Sequence, residues 1–332
     1  MKEGWERTAT AATLPTHELK ALIQQVFPGK TVAYAEALGT GLSNTNYRIH
    51  LEGHRDPYVV RIYRSGAETA RKEHAIHQLV RRKVPVADFL YMDTSRSVFD
   101  GAWAVLEWKD GTLLRDVLRQ DELAETIEAA EAVGAVLARI HSFPFADSGF
   151  FGDKLAIAQP FPMNRETFLA FMENSLFHNR CGQWLGEQVT DQLWTACLMY
   201  GPLLSAIREQ PVLVHADFNG LNLLMQPGTG GMGVSAVLDW EFAFAWSRYA
   251  DMGNLLRYEQ PGSSFGQAFL ASYEAHSGSK LTRHWLLLAK LEDLIALSDM
   301  LNHATIMTPR RVADLKRLIG GTLSFLQRYE VT

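Results

Sequence analysis

The spacing of apolar residues changes along this chain, and the change restricts the folds that are open to it. Residues 16–27 carry apolar side chains at helical spacing, whereas residues 32–63 form short stretches with an apolar residue at every second position. These two periods predict one helix followed by small antiparallel strands. A further helix is predicted at 71–82, and further strands at 86–93 and 98–107.

From residue 109 onward helical spacing prevails, most clearly from Leu123 to Ile140. Helices are also predicted across 165–208 and 263–330, on either side of a β-rich segment at 211–240. The pattern predicts an α+β fold with two lobes. A small antiparallel-sheet lobe spans 1–108, beginning with a loose tail at 1–13, and a larger, mainly helical lobe spans 109–332.

The composition narrows the range of partners. The 332 residues include 37 acidic and 32 basic side chains, for a formal net charge of −5. Nucleic-acid binding normally needs a basic surface, so no nucleic-acid partner is expected. Cys181 and Cys197 lack the spacing of a metal site or a disulfide framework. With no apolar signal segment and no run of about 18 apolar residues, we expect a cytoplasmic protein without a membrane partner.

The segment with the clearest chemical content is HADFNGLN, residues 215–222, which follows the apolar stretch 212–214. Asp239 stands seventeen residues after Asn222, at the end of a second apolar stretch. Phosphoryl transfer to a hydroxyl needs a carboxylate that accepts the proton, and oxygen ligands that hold Mg²⁺ against the phosphates. Asp217 suits the first task, and Asn222 with Asp239 suits the second.

A simpler interpretation of this loop competes with the catalytic one. Asp and Asn are common turn residues, so Asp217 and Asn222 could serve only to shape a connection between two strands. The second strand-terminal carboxylate, Asp239, favours the catalytic interpretation.

This pattern resembles the aminoglycoside phosphotransferase and choline-kinase-like family of small-molecule kinases, which are relatives of the protein kinases. The family motif is H-x-D-x-x-x-x-N-x-L, then D-W or D-F, then a further Asp, and the matching segments here are HADFNGLNLL, LDWEFAF and RYADMGNLL. The resemblance runs from about residue 34 to about residue 325. It implies a bilobal protein-kinase-like fold in which Asp217 is the catalytic base, Asn222 and Asp239 bind Mg²⁺, and His215 and Asp251 support the loop.

The resemblance also implies that the smaller lobe binds the nucleotide, ATP or GTP. A glycine-bearing loop at 38–44 precedes the family's N-x-x-Y pattern, which is Asn44 to Tyr47 here. Gly41, Ser43 and Asn44 are the expected phosphate contacts, since glycines let main-chain amides approach phosphates. A tight hairpin without a ligand is the alternative.

Arg61 in YVVRIY occupies the position at which many relatives carry a lysine that contacts the α- and β-phosphates. Arginine keeps the charge but differs in reach and geometry. Glu73, on the next predicted helix, is the expected ion-pair partner of Arg61; a solvent-exposed helix carboxylate is the alternative. The segment LEWKDG resembles the family's hinge, in which the carbonyl of Glu107 and the amide of Lys109 contact the base of the nucleotide.

The sequence says least about the acceptor. Glu241 and Asp293 are the candidate substrate contacts, because carboxylates pair with the ammonium groups of a cationic antibiotic such as an aminoglycoside. Charges on a solvent-exposed face are the alternative interpretation. Other acceptors within the family are metabolites, of the choline, homoserine, methylthioribose or fructosamine type, and the sequence does not choose among them.

Two other functions compete with the kinase interpretation. One is a catalytically weak kinase fold that serves as a nucleotide-binding scaffold, toward which only Arg61 points. The other is a metal-dependent hydrolase, which would need more His and Asp ligands on strand ends than the sequence offers. The oligomeric state is left open between monomer and homodimer.

Overall fold

The computed structural model describes residues 4–6, 14–38, 44–205 and 209–330. In the smaller lobe, five antiparallel strands form one sheet in the order β1-β2-β3-β5-β4. Helix α1 buries Leu19, Leu22 and Ile23 in a cluster with Ile49 and Trp103 of the sheet, as its apolar spacing predicts. The elements are α1 Thr16–Val26, β1 Val32–Leu38, β2 Thr45–Leu51, β3 Tyr58–Tyr63, α2 Ala67–Val80, β4 Phe89–Asp93 and β5 Ala102–Glu107.

The larger lobe is mainly helical, and its helices enclose one apolar core that includes Leu137, Phe269 and Leu294. The predicted helix from Leu123 to Ile140 has those ends in the structure. The helices are α3 Leu114–Leu118, α4 Leu123–Ile140, α5 Arg165–Phe177, α6 Arg180–Leu185, α7 Glu187–Tyr200, α8 Pro202–Ser205, α9 Tyr249–Leu255, α10 Ser264–Ser277, α11 Trp285–Asn302 and α12 Pro309–Arg328.

Two small sheets accompany these helices. The predicted β-rich segment forms the hairpin β10–β11, which β6 extends, and a second sheet has the order β8-β7-β12-β9. Of the second sheet only β9 lies in the predicted β-rich segment. Its other strands were not predicted, because strands of three or four residues are too short to show a period. The strands are β6 Thr112–Leu113, β7 Gly149–Phe151, β8 Ile157–Pro160, β9 Val212–Val214, β10 Leu223–Gly228, β11 Gly231–Val237 and β12 Phe244–Trp246.

Part of the segment predicted as a loose tail is bound to the end of the chain. Glu6 accepts hydrogen bonds from the main-chain N–H groups of Arg310 and Arg311, at 2.8 and 3.2 Å, and Trp5 donates to Asp314 at 3.2 Å. The first N–H groups of a helix have no partner within the helix, so the Glu6 carboxylate satisfies two of them at the start of α12. Residues 4–6 therefore contact the larger lobe, which their position in the sequence did not predict.

In the part of the chain that the structure describes, no helix combines the length and the apolarity that crossing a bilayer requires. Cys181 and Cys197 are buried free thiols.

Helices α4 and α10 pack closely at Gly134, and the contact can be tested by adding one methyl group. A Cβ at Gly134 would lie 2.6 Å from Phe269 O and 2.9 Å from Tyr273 N. Both are main-chain atoms of α10, so the clash can be relieved only if a helix shifts. Gly134→Ala should lower the free energy of unfolding by about 1–3 kcal/mol, measured by urea denaturation.

Gly321→Ala is the matched control, because the position is exposed within α12 and nothing lies within 4 Å of a Cβ there. Alanine should raise stability at that site by about 0.5–1 kcal/mol, since glycine loses more chain entropy in a helix. Equal stability of the two variants would contradict the close packing of α4 on α10.

Candidate active site

Asp217 is held in one orientation by two asparagine side chains. Its Oδ1 accepts a hydrogen bond from Asn219 Nδ2 at 2.8 Å, and its Oδ2 accepts one from Asn222 Nδ2 at 2.9 Å. The same two amides donate to the main-chain oxygen of Asp217, at 3.0 and 2.8 Å. Since the nitrogen of Asn222 is engaged with Asp217, its Oδ1 is the amide atom that a metal ion could use.

Asp251 lies beneath the loop and is completely buried. Its carboxylate accepts hydrogen bonds from the main-chain N–H groups of His215 and Ala216, both at 2.8 Å. Ala216 has a φ of 64°, a left-handed conformation that costs about 1–3 kcal/mol in a residue with a side chain. The two charge-assisted bonds to Asp251 hold the main chain in that conformation. The structure thus places Asp251 where it can support the loop.

His141, at the end of α4, is the third partner of Asp251. Its Nε2 lies 3.2 Å from Asp251 Oδ2, and its Nδ1 lies 2.9 Å from the hydroxyl of Tyr273. Burial lowers the pKa of His141, although Asp251 opposes the shift. The ring is thus a hydrogen-bonding partner inside the core, and burial favours its neutral form.

His215 joins the loop to the segment that carries Asp239. Its Nδ1 accepts a hydrogen bond from the Asp217 N–H at 3.2 Å, so the ring proton is on Nε2 and is donated to Leu238 O at 2.8 Å. The Leu238 N–H donates to Asn222 O at 2.8 Å. Asp239 follows directly, so these two bonds hold it beside the loop.

Arg61 connects the two lobes at this point. Its Nη2 donates to Asp239 Oδ1 at 2.9 Å, its Nη1 to Glu73 Oε1 at 2.5 Å and its Nε to Asn46 Oδ1 at 3.1 Å. The ion pair between Arg61 and Glu73 that the sequence suggested is therefore present. Burial raises the pKa of Asp239, and the positive charge of Arg61 opposes the shift. A guanidinium spreads its N–H groups over three nitrogens in a fixed plane, whereas the three N–H groups of a lysine ammonium share one nitrogen.

A second polar contact crosses the cleft from Asn44, at the start of β2. Asn44 Nδ2 donates to Glu241 Oε2 at 3.1 Å, and both side chains are buried. Glu241 thus faces Asn44 of the smaller lobe, and its contact with an acceptor stays a prediction. Gly41 and Ser43, the other predicted phosphate contacts, lie outside the described residues.

The predicted hinge follows β5. Glu107 is the last residue of that strand and pairs with Tyr58 of β3. Lys109 Nζ donates to Glu107 Oε1 at 2.8 Å, so the two side chains bind each other on the surface. Contacts of the Glu107 carbonyl and the Lys109 amide with a nucleotide base stay a prediction.

Asp293, the other candidate substrate contact, is paired inside the larger lobe. It is 2% exposed, and its Oδ1 accepts hydrogen bonds from Arg257 Nη2 at 2.7 Å and from Arg257 Nε at 3.1 Å. Asn254 joins this network. Its amide is oriented so that the nitrogen donates to Phe218 O at 3.1 Å and the oxygen accepts from Arg257 Nη2 at 3.2 Å. Asp293 therefore belongs to a buried network beneath the loop 215–222, and its predicted contact with an acceptor stays a prediction.

Several residues of this arrangement received no role from the sequence. Asn219 lies within the predicted loop and could have been found from its position two residues after Asp217. Asn254 and Arg257 follow Asp251 on or just after α9, three and six residues later. Asn254 stands at helical spacing from Asp251, which was the available signal, whereas Arg257 lies after the helix and had none. The partners of both on other elements could not be known.

The donor atoms suit Mg²⁺ bound together with phosphates. Asp239 and Asn222 offer oxygen atoms, the ligand type that Mg²⁺ prefers, and Mg²⁺ usually takes only one or two protein carboxylates beside phosphates and water. Within the described residues, no group of three or more His, Cys, Asp or Glu side chains could hold a metal by itself. A site that depends on the phosphates of a bound nucleotide fits both observations.

Comparison with known proteins gives two findings on sequence. The family model described as "Phosphotransferase enzyme family" matches residues 35–286. No curated protein matches the chain in sequence.

The bilobal protein-kinase-like fold is confirmed by similarity to solved aminoglycoside phosphotransferases. The GDP and kanamycin complex of APH(2″)-IIIa has a TM-score of 0.67 at 19% identity, covering 93% of this chain and 97% of that one. A thermostable mutant of APH(4)-Ia with ADP and hygromycin B has a TM-score of 0.67 at 16% identity, covering 94% and 99%. A putative aminoglycoside phosphotransferase from Ralstonia eutropha JMP134 has a TM-score of 0.64 at 17% identity, covering 96% and 100%.

The buried pair of Arg257 and Asp293 predicts a large effect on stability. Asp293→Asn leaves the guanidinium buried without its counter-charge, which should lower the free energy of unfolding by about 3–5 kcal/mol in urea denaturation. In the double variant Arg257→Met, Asp293→Leu no charge is left unpaired, so most of that loss should be recovered. A double variant no more stable than Asp293→Asn would show that the charge pair is not the cause.

Glu292 predicts a pH dependence of stability. It is buried beside Trp246, whose Nε1 donates to its Oε2 at 2.8 Å, and burial raises its pKa to about 7. The folded state thus binds the proton of Glu292 more tightly than the unfolded state does. The stabilisation that this proton gives to the folded state is complete below about pH 4.5 and is lost as the pH rises to about 7. Glu292→Gln should therefore gain stability relative to the wild type between pH 5 and 8, by up to about 3 kcal/mol. Urea denaturation at pH 5 and at pH 8 measures this gain. The same difference in stability between variant and wild type at both pH values would contradict the raised pKa of Glu292.

Proposed function

The chain belongs to the phosphotransferase enzyme family, and on that premise we propose that it transfers the γ-phosphate of ATP or GTP to a hydroxyl group of a small molecule. The observation that carries the proposal is the fixed carboxylate of Asp217, which two asparagine amides orient in the cleft. Bonds through Leu238 hold Asp239 beside it. Pre-orientation of a proton acceptor is what general base catalysis requires.

In the proposed reaction the hydroxyl oxygen of the acceptor attacks the γ-phosphorus. A new O–P bond forms, the bond from the γ-phosphorus to the bridging oxygen breaks, and the nucleoside diphosphate leaves with that electron pair. Asp217 accepts the hydroxyl proton, so charge and atoms balance. Asn219 and Asn222 keep the carboxylate aligned during the transfer.

Arg61 and Glu73 are proposed to serve the nucleotide phosphates. The guanidinium is 12% exposed, and Glu73 holds it from α2, so its position is set before a ligand binds. Asp239 and Asn222 would hold Mg²⁺, which neutralises charge on the phosphates when it is bound.

Asn44 with Gly41 and Ser43 would contact the phosphates, and the main chain at Glu107 and Lys109 would contact the base. His215 and Asp251 would support the loop.

The structural neighbours support an aminoglycoside as one candidate acceptor, because two of them were solved with kanamycin or hygromycin B. One observation favours a different acceptor. Glu241 and Asp293, the carboxylates expected to bind ammonium groups, are both buried and paired with residues of this chain. A less cationic hydroxylated metabolite is therefore the second candidate, and the site residues are the same for both.

Asp217→Asn tests the proposal most directly. A base acts in the transition state, so the variant should lose turnover by a factor of about 10²–10⁴ while its affinity for nucleotide stays nearly unchanged. The measurement is transfer of γ-labelled phosphate from ATP and from GTP to a panel of aminoglycosides and hydroxylated metabolites, with Mg²⁺ present. Nucleotide affinity is measured separately by calorimetry.

Asp147→Asn is the matched control, because Asp147 is exposed and lies outside the cleft. It should leave transfer unchanged, and thermal melting of both variants shows whether they are folded. Turnover of Asp217→Asn within a few-fold of the wild type would remove Asp217 from the mechanism. Absence of Mg²⁺-dependent nucleotide binding by the wild type would contradict the kinase function, and phosphate release without any acceptor would favour a hydrolase.

A further inference from the structure

A cavity lies in the larger lobe where the turn after α9 meets α10 and α11. Its volume is about 70 Å³, enough for small ligand groups or water. Leu256, Leu270 and Trp285 supply apolar walls, and Lys290 and Glu259 bring one charge of each sign. None of the residues proposed for the nucleotide, for Mg²⁺ or for the base lines this cavity.

Lys290 is the unusual group in this cavity. It is 8% exposed, and its ammonium donates one long hydrogen bond, of 3.4 Å, to Leu256 O. An ammonium has three N–H groups, and a buried cation is normally paired or fully hydrogen-bonded. Among the described residues no carboxylate lies within the 4.0 Å of an ion pair with Lys290, and burial lowers its pKa although Asp293 and Glu259 oppose the shift. The ammonium thus lacks the partners that its burial calls for.

Glu259 lines the same cavity and is half-buried. It is near enough to act on the charge of Lys290, yet the two do not form an ion pair. A ligand with a single negative charge would meet Lys290 but would be repelled by Glu259. A ligand that carries both charges would satisfy the two side chains together.

We propose that this cavity binds a small zwitterion with an apolar body, of the α-amino acid type. The carboxylate of the ligand pairs with Lys290, its ammonium pairs with Glu259, and its apolar side chain lies against Leu256, Leu270 and Trp285. Burial of an apolar side chain supplies roughly 1.5–3 kcal/mol, in addition to the two charge-assisted contacts. The proposal is independent of the proposed transfer reaction.

The test is isothermal titration calorimetry of the full chain with L-leucine, which has no hydroxyl side chain and cannot act as the proposed acceptor. We expect saturable binding by the wild type, and affinity at least tenfold weaker in Lys290→Met. Lys280→Met is the matched control, because the side chain of Lys280 is 85% exposed, and it should bind leucine like the wild type. No saturable binding by the wild type, or equal affinity in Lys290→Met, would overturn the proposal.

Two analogues of leucine test the requirement for both charges. 4-Methylpentanoate lacks the amino group and 3-methylbutylamine lacks the carboxylate, so both should bind at least tenfold more weakly than leucine. Glu259→Gln should weaken the binding of leucine but not that of 4-methylpentanoate. Equal binding of leucine and 4-methylpentanoate, or preferential binding of inorganic phosphate, would show an anion site and contradict the zwitterion.

Discussion

The bonds of Asp251 to the loop 215–222 are the constraint on which the rest of the candidate site depends. Ala216 adopts a left-handed main-chain conformation that alanine avoids, and it is kept there because Asp251 accepts the N–H groups of His215 and Ala216. Asp251 is carried by α9, which packs against α11 so closely that a Cβ at Gly253 would lie 2.2 Å from Ala289 O. The position of Asp217 is therefore set by the core of the larger lobe, several contacts away from the cleft.

Polar contacts across the cleft join the two lobes. Arg61 of β3 binds Asp239, and Asn44, directly before β2, binds Glu241, so two residues of the smaller lobe each contact one carboxylate of the larger lobe. In the proposed reaction, phosphates and Mg²⁺ would compete for both partners of the Arg61–Asp239 pair. A guanidinium suits such a position, because it can keep Glu73 and Asn46 on two nitrogens while the third exchanges its partner.

The sequence predicted those features of the fold and site that depend on residues close together in the chain. It did not predict the features that depend on contacts between distant elements. Asp217 and Asn222 could be placed together because one short loop carries both, and Asp239 because an apolar strand leads to it. The pairing of Asp293 with Arg257 depends on which faces of α9 and α11 meet, and no local pattern encodes that. The strands β7, β8 and β12 escaped prediction for a related reason, since strands of three or four residues are stabilised by their neighbours and show no period of their own. The phosphate contacts of Gly41 and Ser43 stay predictions.

The buried carboxylates also bear on the choice of acceptor. Glu241, Glu292 and Asp293 each have a partner within the chain, respectively Asn44, Trp246 and Arg257. An acceptor ammonium that took Asp293 from Arg257 would leave a buried cation unpaired, at about 3–5 kcal/mol. This unfavourable free energy would weaken the affinity for the acceptor. An acceptor with few positive charges avoids this loss.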